Sequence, residues 1–460
     1  MSEDLKDFDR EERLFSDALR ASAEVESFRP LSAGEFTRPR TPGRLAAWGK
    51  GIAAAAAAVV VIGGLAFGLS QLGGAAGSAS LPAEPASGMG GAAASEAATA
   101  AASAESEEDT KYSAGGVRVG EWTELAAPPL SARSEATGAW LDGKFYLFGG
   151  QLDPPCPPNA SCIAPSKLLR DGASYDPVTG AWQQLADAPV DLSASPPTVV
   201  AGRLYYQVGY GSTAGAYAYD AARDRWSRIA TPKGGGALVA AGDRLVAINY
   251  SDEVAGFDEL YDADADAWTR LPDDPLGKSF NRGALWVNGK LLLGAHPLVA
   301  SPGSEEPSLV QLAELDLDTM RWTKLPTLDV LSGFSAAVGN LVVFPTPGSG
   351  DGGEVNNWGR SYPMGGIYDV GTGDWAELPD GLPSSDGVTR SWGDAAVTGG
   401  QVFTSGHLLD PSARTWTELP SPPSGNLVGQ TVIAGPEGLL VFGGWDGTAH
   451  TGAAHYLPLR

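Results

Sequence analysis

The chain is poor in the residues from which metal and thiol chemistry is built. It has two cysteines and four histidines in 460 residues, none of the six in a ligand-spaced set. That leaves little for a zinc or copper centre or a Cys/His nucleophile, and no cofactor or metal is expected. Positive charge is also scarce. Lys+Arg 31 against Asp+Glu 55 gives a formal net charge of −24, so a phosphate backbone is repelled and nucleic-acid binding is excluded as a function class. Long hydrophobic runs are absent except for one. What the chain has in quantity is Gly 61 and Pro 34, which disfavour a helical bundle and fit a turn-rich β protein, and an apolar content of 43%, enough for a large core.

Residues 1–50 read as a cytoplasmic tail. Leu14, Ala18, Ala21 and Val25 recur at helical spacing, a weak stripe that fits either a partner-docking helix or a solvated segment. No charged residue occurs between Lys50 and Glu84, and 51–71 is the expected transmembrane helix, given the ~20 apolar residues a bilayer requires. The long leader favours a retained anchor over a cleavable signal peptide. Arg38, Arg40, Arg44 and Lys50 lie upstream and the next basic residue is Lys111, so a single-pass protein of the cell membrane is expected, with its N-terminus cytoplasmic and the rest extracytoplasmic. Residues 72–111 are Ala, Gly, Ser, Pro and Glu with an acidic end, the composition of a disordered tether.

From 112 to 460 one pattern repeats. Trp122, Trp182, Trp226, Trp268, Trp322, Trp375 and Trp416 share W-x-[EQRK]-[LI], at a mean period of about 49 residues. Six residues before each of the last six stands an aspartate: Asp176, Asp220, Asp262, Asp316, Asp369 and Asp410, each preceded by Tyr or Leu. The spacing predicts a strand ending in Tyr/Leu-Asp, a tight turn capped by the carboxylate, and a return strand opened by a large apolar ring. Before each such hairpin lies another with a short Gly/Asn/Asp turn, such as GAWLDGKFYLFGG and LVAAGDRLVAINY, so each period supplies a four-stranded sheet.

This repeat resembles that of the kelch-repeat β-propellers, whose signature joins a Gly-Gly doublet at a strand end to a spaced Tyr and Trp on the next hairpin. The doublet is intact at Gly149-Gly150 and Gly443-Gly444 and degenerate elsewhere. The resemblance implies an all-β, seven-bladed propeller over 112–460, the fold of the central domain of galactose oxidase, and the Ala/Gly-rich, Asp-rich composition looks bacterial. The chain ends without a last tryptophan strand and begins, at 117–125, with a spare one, so the two are expected to pair and close the ring.

The candidate sites cluster on the face carrying the long loops. Cys156 and Cys162 in GQLDPPCPPNASCIAPS read as a loop-stapling disulfide of an exported domain. The Asn159-Ala160-Ser161 sequon in the same loop is discounted in a bacterial chain. Arg133, Arg282 and Arg390 precede innermost strands and are candidates for an acidic ligand at the channel mouth, with pairing to nearby aspartates as the structural alternative. Trp358, Trp392 and Trp445 lie outside the repeat and are candidates for a carbohydrate or protein platform or for loop core. Asp446 and His450 form a local pair in the last loop. Asp262, Asp264 and Asp266 look like a calcium comb, but Ala267 stands where the loop needs Gly and Asp273 where it needs Glu, so an EF-hand fails.

These readings converge on a membrane-anchored binding module that recognises a protein or glycan through its loop-rich face. The resemblance adds an alternative, since kelch-like propellers include sugar isomerases and oxidases. The copper centre of galactose oxidase is not expected with both cysteines in one loop. A transmembrane sensor is the third reading, weakened by the floppy tether.

Overall fold

A computed structural model describes residues 118–156, 167–193, 196–209, 215–249, 257–298, 306–353, 357–380 and 396–460. The tail, the apolar run at 51–71 and the tether at 72–111 lie outside the described residues, as do Cys162, the sequon, Arg390 and Trp392. Within the described residues there is no helix, and seven four-stranded antiparallel sheets form the blades of a propeller. Blade 1 runs over 137–185, blade 2 over 198–229, blade 3 over 237–270, blade 4 over 279–324, blade 5 over 336–377 and blade 6 over 396–418. Blade 7 takes three strands from 431–458 and its outer strand, Thr123–Glu124, from the beginning of the propeller, pairing Thr123 with Tyr456 and Glu124 with His455. Gly120 and Leu125 add backbone bonds to Pro458 and Ala454, so the spare strand expected at 117–125 does close the ring.

The fixed Asp-to-Trp spacing is the length of one turn. In each of the six hairpins, Asp Oδ1 accepts backbone N–H groups two or three residues on, for example Val178 and Thr179 on Asp176, or Ser412 and Ala413 on Asp410. The residue two before the tryptophan takes a left-handed conformation at all seven repeats, whether it is Gly120, Gly180 or Gly373, Asp224, Asp266, Met320 or Arg414. This closes the turn so that the residue before the aspartate faces the tryptophan across the strands, as in Tyr175 opposite Trp182 and Leu409 opposite Trp416.

Each tryptophan also fastens its blade to the one before. Its indole N–H donates to the backbone carbonyl four residues after the preceding blade's tryptophan: Trp182 to Ala126 (2.9 Å), Trp226 to Ala186 (3.0 Å), Trp268 to Ala230 (2.7 Å), Trp322 to Pro272 (2.9 Å) and Trp416 to Pro379 (2.9 Å). Trp122 on the spare strand donates to Pro420 of blade 6 at 2.7 Å, continuing the same rule through the closure. Trp375 is the exception, and its ring packs edge-on against Phe344 instead.

The core lies between blades. The second strand of each blade is covered on both faces, which is why it reads as an almost unbroken apolar run such as KFYLF or GLLVF. The two-residue strand period divides that run. Phe145 and Leu147 pack toward Leu440, Phe442 and Tyr456 of blade 7, while Tyr146 and Phe148 pack toward Leu204, Tyr206 and Tyr219 of blade 2. Around the channel, threonine hydroxyls join adjacent inner strands: Thr431 to the Ala136 carbonyl, Thr398 to Gly435 and Thr198 to Leu238.

If the ring is locked this way, Trp122→Phe keeps an aromatic ring but strands the Pro420 carbonyl, and the free energy of unfolding drops by about 1 kcal/mol. A urea titration followed by fluorescence checks this, and a stability equal to wild type would contradict it.

Candidate functional site

The loop-bearing face is built up most where the ring closes. Beyond the regular strands, blade 1 continues through the bridges Ser134–Gln151–Leu168, and blade 7 through Val428–Trp445–His450. Both extensions begin at a Gly-Gly doublet, and the close approach there explains the doublet. A Cβ on Gly443 (φ 68°) would lie 2.4 Å from the Arg133 carbonyl, and one on Gly150 (φ 97°) 2.7 Å from that of Ser134. The two extensions meet where His450 Nε2 and Ser134 Oγ stand 3.1 Å apart and the His450 ring tilts against Trp445 at 4.7 Å between centroids. Ser134 is only 1% exposed, so this pair fixes the loop and leaves no reachable hydroxyl for nucleophilic chemistry.

Next to it stands Glu135, half-buried, with a left-handed backbone (φ 54°) held by its N–H to the Gly429 carbonyl at 2.6 Å. Burial pushes its carboxyl above the usual range, against the opposing effect of the Ser193 hydroxyl at 3.3 Å. The amide oxygens of Gln151 and Gln430 are buried here without a hydrogen-bond partner. Glu135, Gln151 and Gln430 did not emerge from sequence reasoning. The one available signal was the polar triplet Arg133-Ser134-Glu135 directly before an inner strand.

The sequence-derived candidates separate clearly. Arg133 is fully buried and spends all its donors inside the fold: Nε and Nη2 on the Ser131 carbonyl and hydroxyl, Nη1 on the Gly149 carbonyl, and both Nη atoms on Asp171 at 2.6 and 2.7 Å. Arg282 lies in the irregular first strand of blade 4 and reaches back to blade 3, bonding the Asn249 carbonyl, Asp258 and Asp274. Burial raises the Asp258 carboxyl, with Arg282 the largest opposing influence. Neither guanidinium is offered to a ligand. Asp446 does not pair with His450. Its Oδ1 accepts from the Thr448 amide and hydroxyl and the Ala449 amide, which hold its carboxyl below the usual range.

Trp358 sits on an excursion of blade 5, where Ser349–Gly350 pairs with Tyr362–Pro363. Its ring meets Tyr362 edge-on at 5.9 Å, and the Arg360 guanidinium lies 3.8 Å over the opposing Tyr362 ring while pairing with Asp329. Arg360 and Tyr362 were also missed by the sequence reading. Cys156 is disulfide-bonded, and the sequence holds one other cysteine, Cys162. Among the described residues no three His, Cys, Asp or Glu side chains gather as metal ligands, and Asp262 and Asp266 are occupied in turn capping and in bonds to Ala230 and Tyr261.

No family model matches the chain. Among known proteins it is similar to the Kelch-like protein terF of Aspergillus terreus, 26% identical over 344 residues covering 66% of this chain and 70% of that protein. It is also similar to N-acetylneuraminate epimerase 1 of Escherichia coli, 23% identical over 317 residues covering 64% and 77%. A further N-acetylneuraminate epimerase of Escherichia coli is 32% identical over 90 residues, 19% of this chain and 23% of its own. Together with the seven blades, these relatives support a kelch-repeat propeller.

One consequence concerns acid. His296, 4% exposed in blade 4, donates its Nε2–H to the Leu331 carbonyl at 2.9 Å, stacks on Phe280 at 5.3 Å and has no partner at Nδ1. Burial lowers its pKa, so between the unfolded value near 6.5 and the lower folded one the unfolded chain binds more protons. Stability therefore falls as pH drops below about 6.5. His455, also lowered by burial, adds to the fall. His296→Gln should flatten this loss, seen as a smaller difference between urea midpoints at pH 7.5 and 5.5 than in wild type.

Proposed function

We propose that this propeller is a binding module whose recognition surface is the loop-bearing face, and that its partner is a protein or a glycan. The observation that carries the reading is the aromatic and arginine content of two excursions on that face, Trp358–Arg360–Tyr362 on blade 5 and Trp445–His450 on blade 7. Trp, Tyr and Arg are the residues that concentrate binding energy at protein interfaces, which favours a protein over a glycan. The Kelch-like relative agrees with a protein-binding propeller. Arg390 and Trp392 are proposed to belong to the same surface.

The module is further proposed to be bacterial and extracytoplasmic, anchored through one helix at 51–71 with the tail at 1–50 in the cytoplasm. The charge pattern around that run supports this, and so does the disulfide at Cys156, a bond that persists in oxidising compartments.

A second reading is an enzyme acting on a sugar of the cell envelope. One observation favours it, the half-buried Glu135 carboxyl just before the inner strand of blade 1, whose pKa burial raises above the usual carboxylate range, the direction that suits a carboxyl to proton transfer. The relative named as an N-acetylneuraminate epimerase gives the first substrate to try.

Two arms separate the readings. Full-length protein in detergent should capture a specific partner from the envelope fraction of its own cells, and Trp358→Ala with Trp445→Ala should cut that capture at least tenfold. In parallel, NMR of N-acetylneuraminate with the protein should show no conversion. Turnover abolished by Glu135→Gln would replace the binding reading with the enzymatic one.

A further inference from the structure

The opposite face, which carries the short hairpin turns, holds a cleft of about 520 Å³ between blades 2 and 3. Its volume lies in the range of small-molecule sites. The floor is apolar: Val200, Tyr205 and Leu245 are buried, and Leu260 and Tyr261 form a wall. The charged lining divides by whether it is already engaged. Arg244 is committed to blade 4, through the Leu317 carbonyl at 3.1 Å and Asp318 at 2.7 Å. Asp262 caps its own turn.

Arg203 is different. Its guanidinium lies 3.8 Å from Asp220, too far for a hydrogen bond, and that carboxylate is already bound by Arg223 at 2.6 Å. Among the described residues no hydrogen bond uses the Arg203 guanidinium, and none uses the carboxylates of Asp243 or Asp264 at the rim. The cleft therefore presents one cation held only by a 3.8 Å ion pair with Asp220, its hydrogen-bond donors unused, and two carboxylates with no hydrogen bond, around an apolar floor.

A simple anion would meet Arg203 but be repelled by the rim, and a simple cation would meet the rim but be repelled by Arg203 and Arg244. A ligand carrying both charges on a short apolar frame satisfies all three parts. We propose that this cleft binds a zwitterionic apolar amino acid, free or as a short peptide, with its carboxylate on Arg203, its ammonium on Asp243 or Asp264, and its side chain against Tyr205, Leu245 and Tyr261. A planar guanidinium with free donors takes a carboxylate bidentately, which makes Arg203 the anchor.

Isothermal titration of the full-length protein in detergent tests this, with L-leucine and the dipeptide Leu-Leu as probes. Saturable one-to-one binding is expected for at least one, and which of the two is tighter distinguishes the free amino acid from a peptide end. Leucinamide, lacking the carboxylate, and N-acetylleucine, lacking the ammonium, should bind at least tenfold more weakly. Arg203→Gln should lose binding at least tenfold, and Arg203→Lys, which keeps the charge but not the fork, should lose it in part, with both variants melting cooperatively as the check on folding. The proposal is overturned if neither zwitterion binds, if leucinamide binds as tightly as leucine, or if a folded Arg203→Gln binds like wild type. Should Arg203→Gln fail to fold, Asp243→Asn together with Asp264→Asn must weaken leucine at least tenfold, and unchanged affinity would overturn the proposal equally.

Discussion

The structure depends on a hydrogen bond passed from blade to blade, from six of the seven repeat tryptophan indoles to a carbonyl of the blade before, with Trp375 the exception. A four-stranded sheet of this size cannot bury both faces alone, and stacking seven of them in a ring supplies the missing cover. Apolar packing between blades is strong but non-directional. The indole bond adds direction, because its acceptor always lies four residues past the preceding tryptophan, and so it fixes how far each blade is offset from the next. Trp122 extends the series across the only covalent gap, on a strand that makes just two regular cross-strand pairs with blade 7. The closure combines this side-chain bond with the backbone bonds of the short strand, including those of Gly120 to Pro458 and Leu125 to Ala454.

That rigid ring explains why the chemistry collects where it does. The short hairpins on one face are dictated by their capping aspartates and left-handed residues, and tolerate little variation. The crossings on the other face are free to lengthen. At the blade 7 to blade 1 crossing, the intact Gly-Gly doublets let two loop systems pass within contact distance, bringing Ser134, Glu135, Trp445 and His450 together from opposite ends of the propeller sequence. Arg133 sits under this junction as a buried anchor. Removing one partner of such a pair costs about 3 kcal/mol or more, so its place is structural even though its position near the channel mouth made it a candidate ligand group.

The parts of this architecture legible in the sequence are those set by local chemistry. The Asp-to-Trp interval is one turn long, so it survives in the sequence as a constant, and the spare strand could be counted. The parts that were not legible depend on partners far away in sequence. Whether Arg133 and Arg282 face a ligand or an aspartate is decided by Asp171 and Asp258, 38 and 24 residues distant, and no spacing rule connects them. Asp446 and His450 are near neighbours, yet the carboxylate is claimed by its own turn and the imidazole by Ser134 on another blade. Trp358 could be singled out as lying outside the repeat, but the Arg360–Tyr362 stack beside it follows from a hairpin excursion that the repeat pattern does not foresee.

Hydrogen exchange of the indole N–H groups, followed by NMR with each ring-forming tryptophan assigned by substitution, tests the central claim most directly. The account predicts that Trp122, Trp182, Trp226, Trp268, Trp322 and Trp416 exchange slowly and as a group, with protection close to that of global unfolding, while Trp375, which lacks the bond, exchanges faster. A Trp122 indole that exchanges as fast as that of Trp375 while the other five stay protected would contradict it, because the ring would then be open at the strand that is supposed to close it.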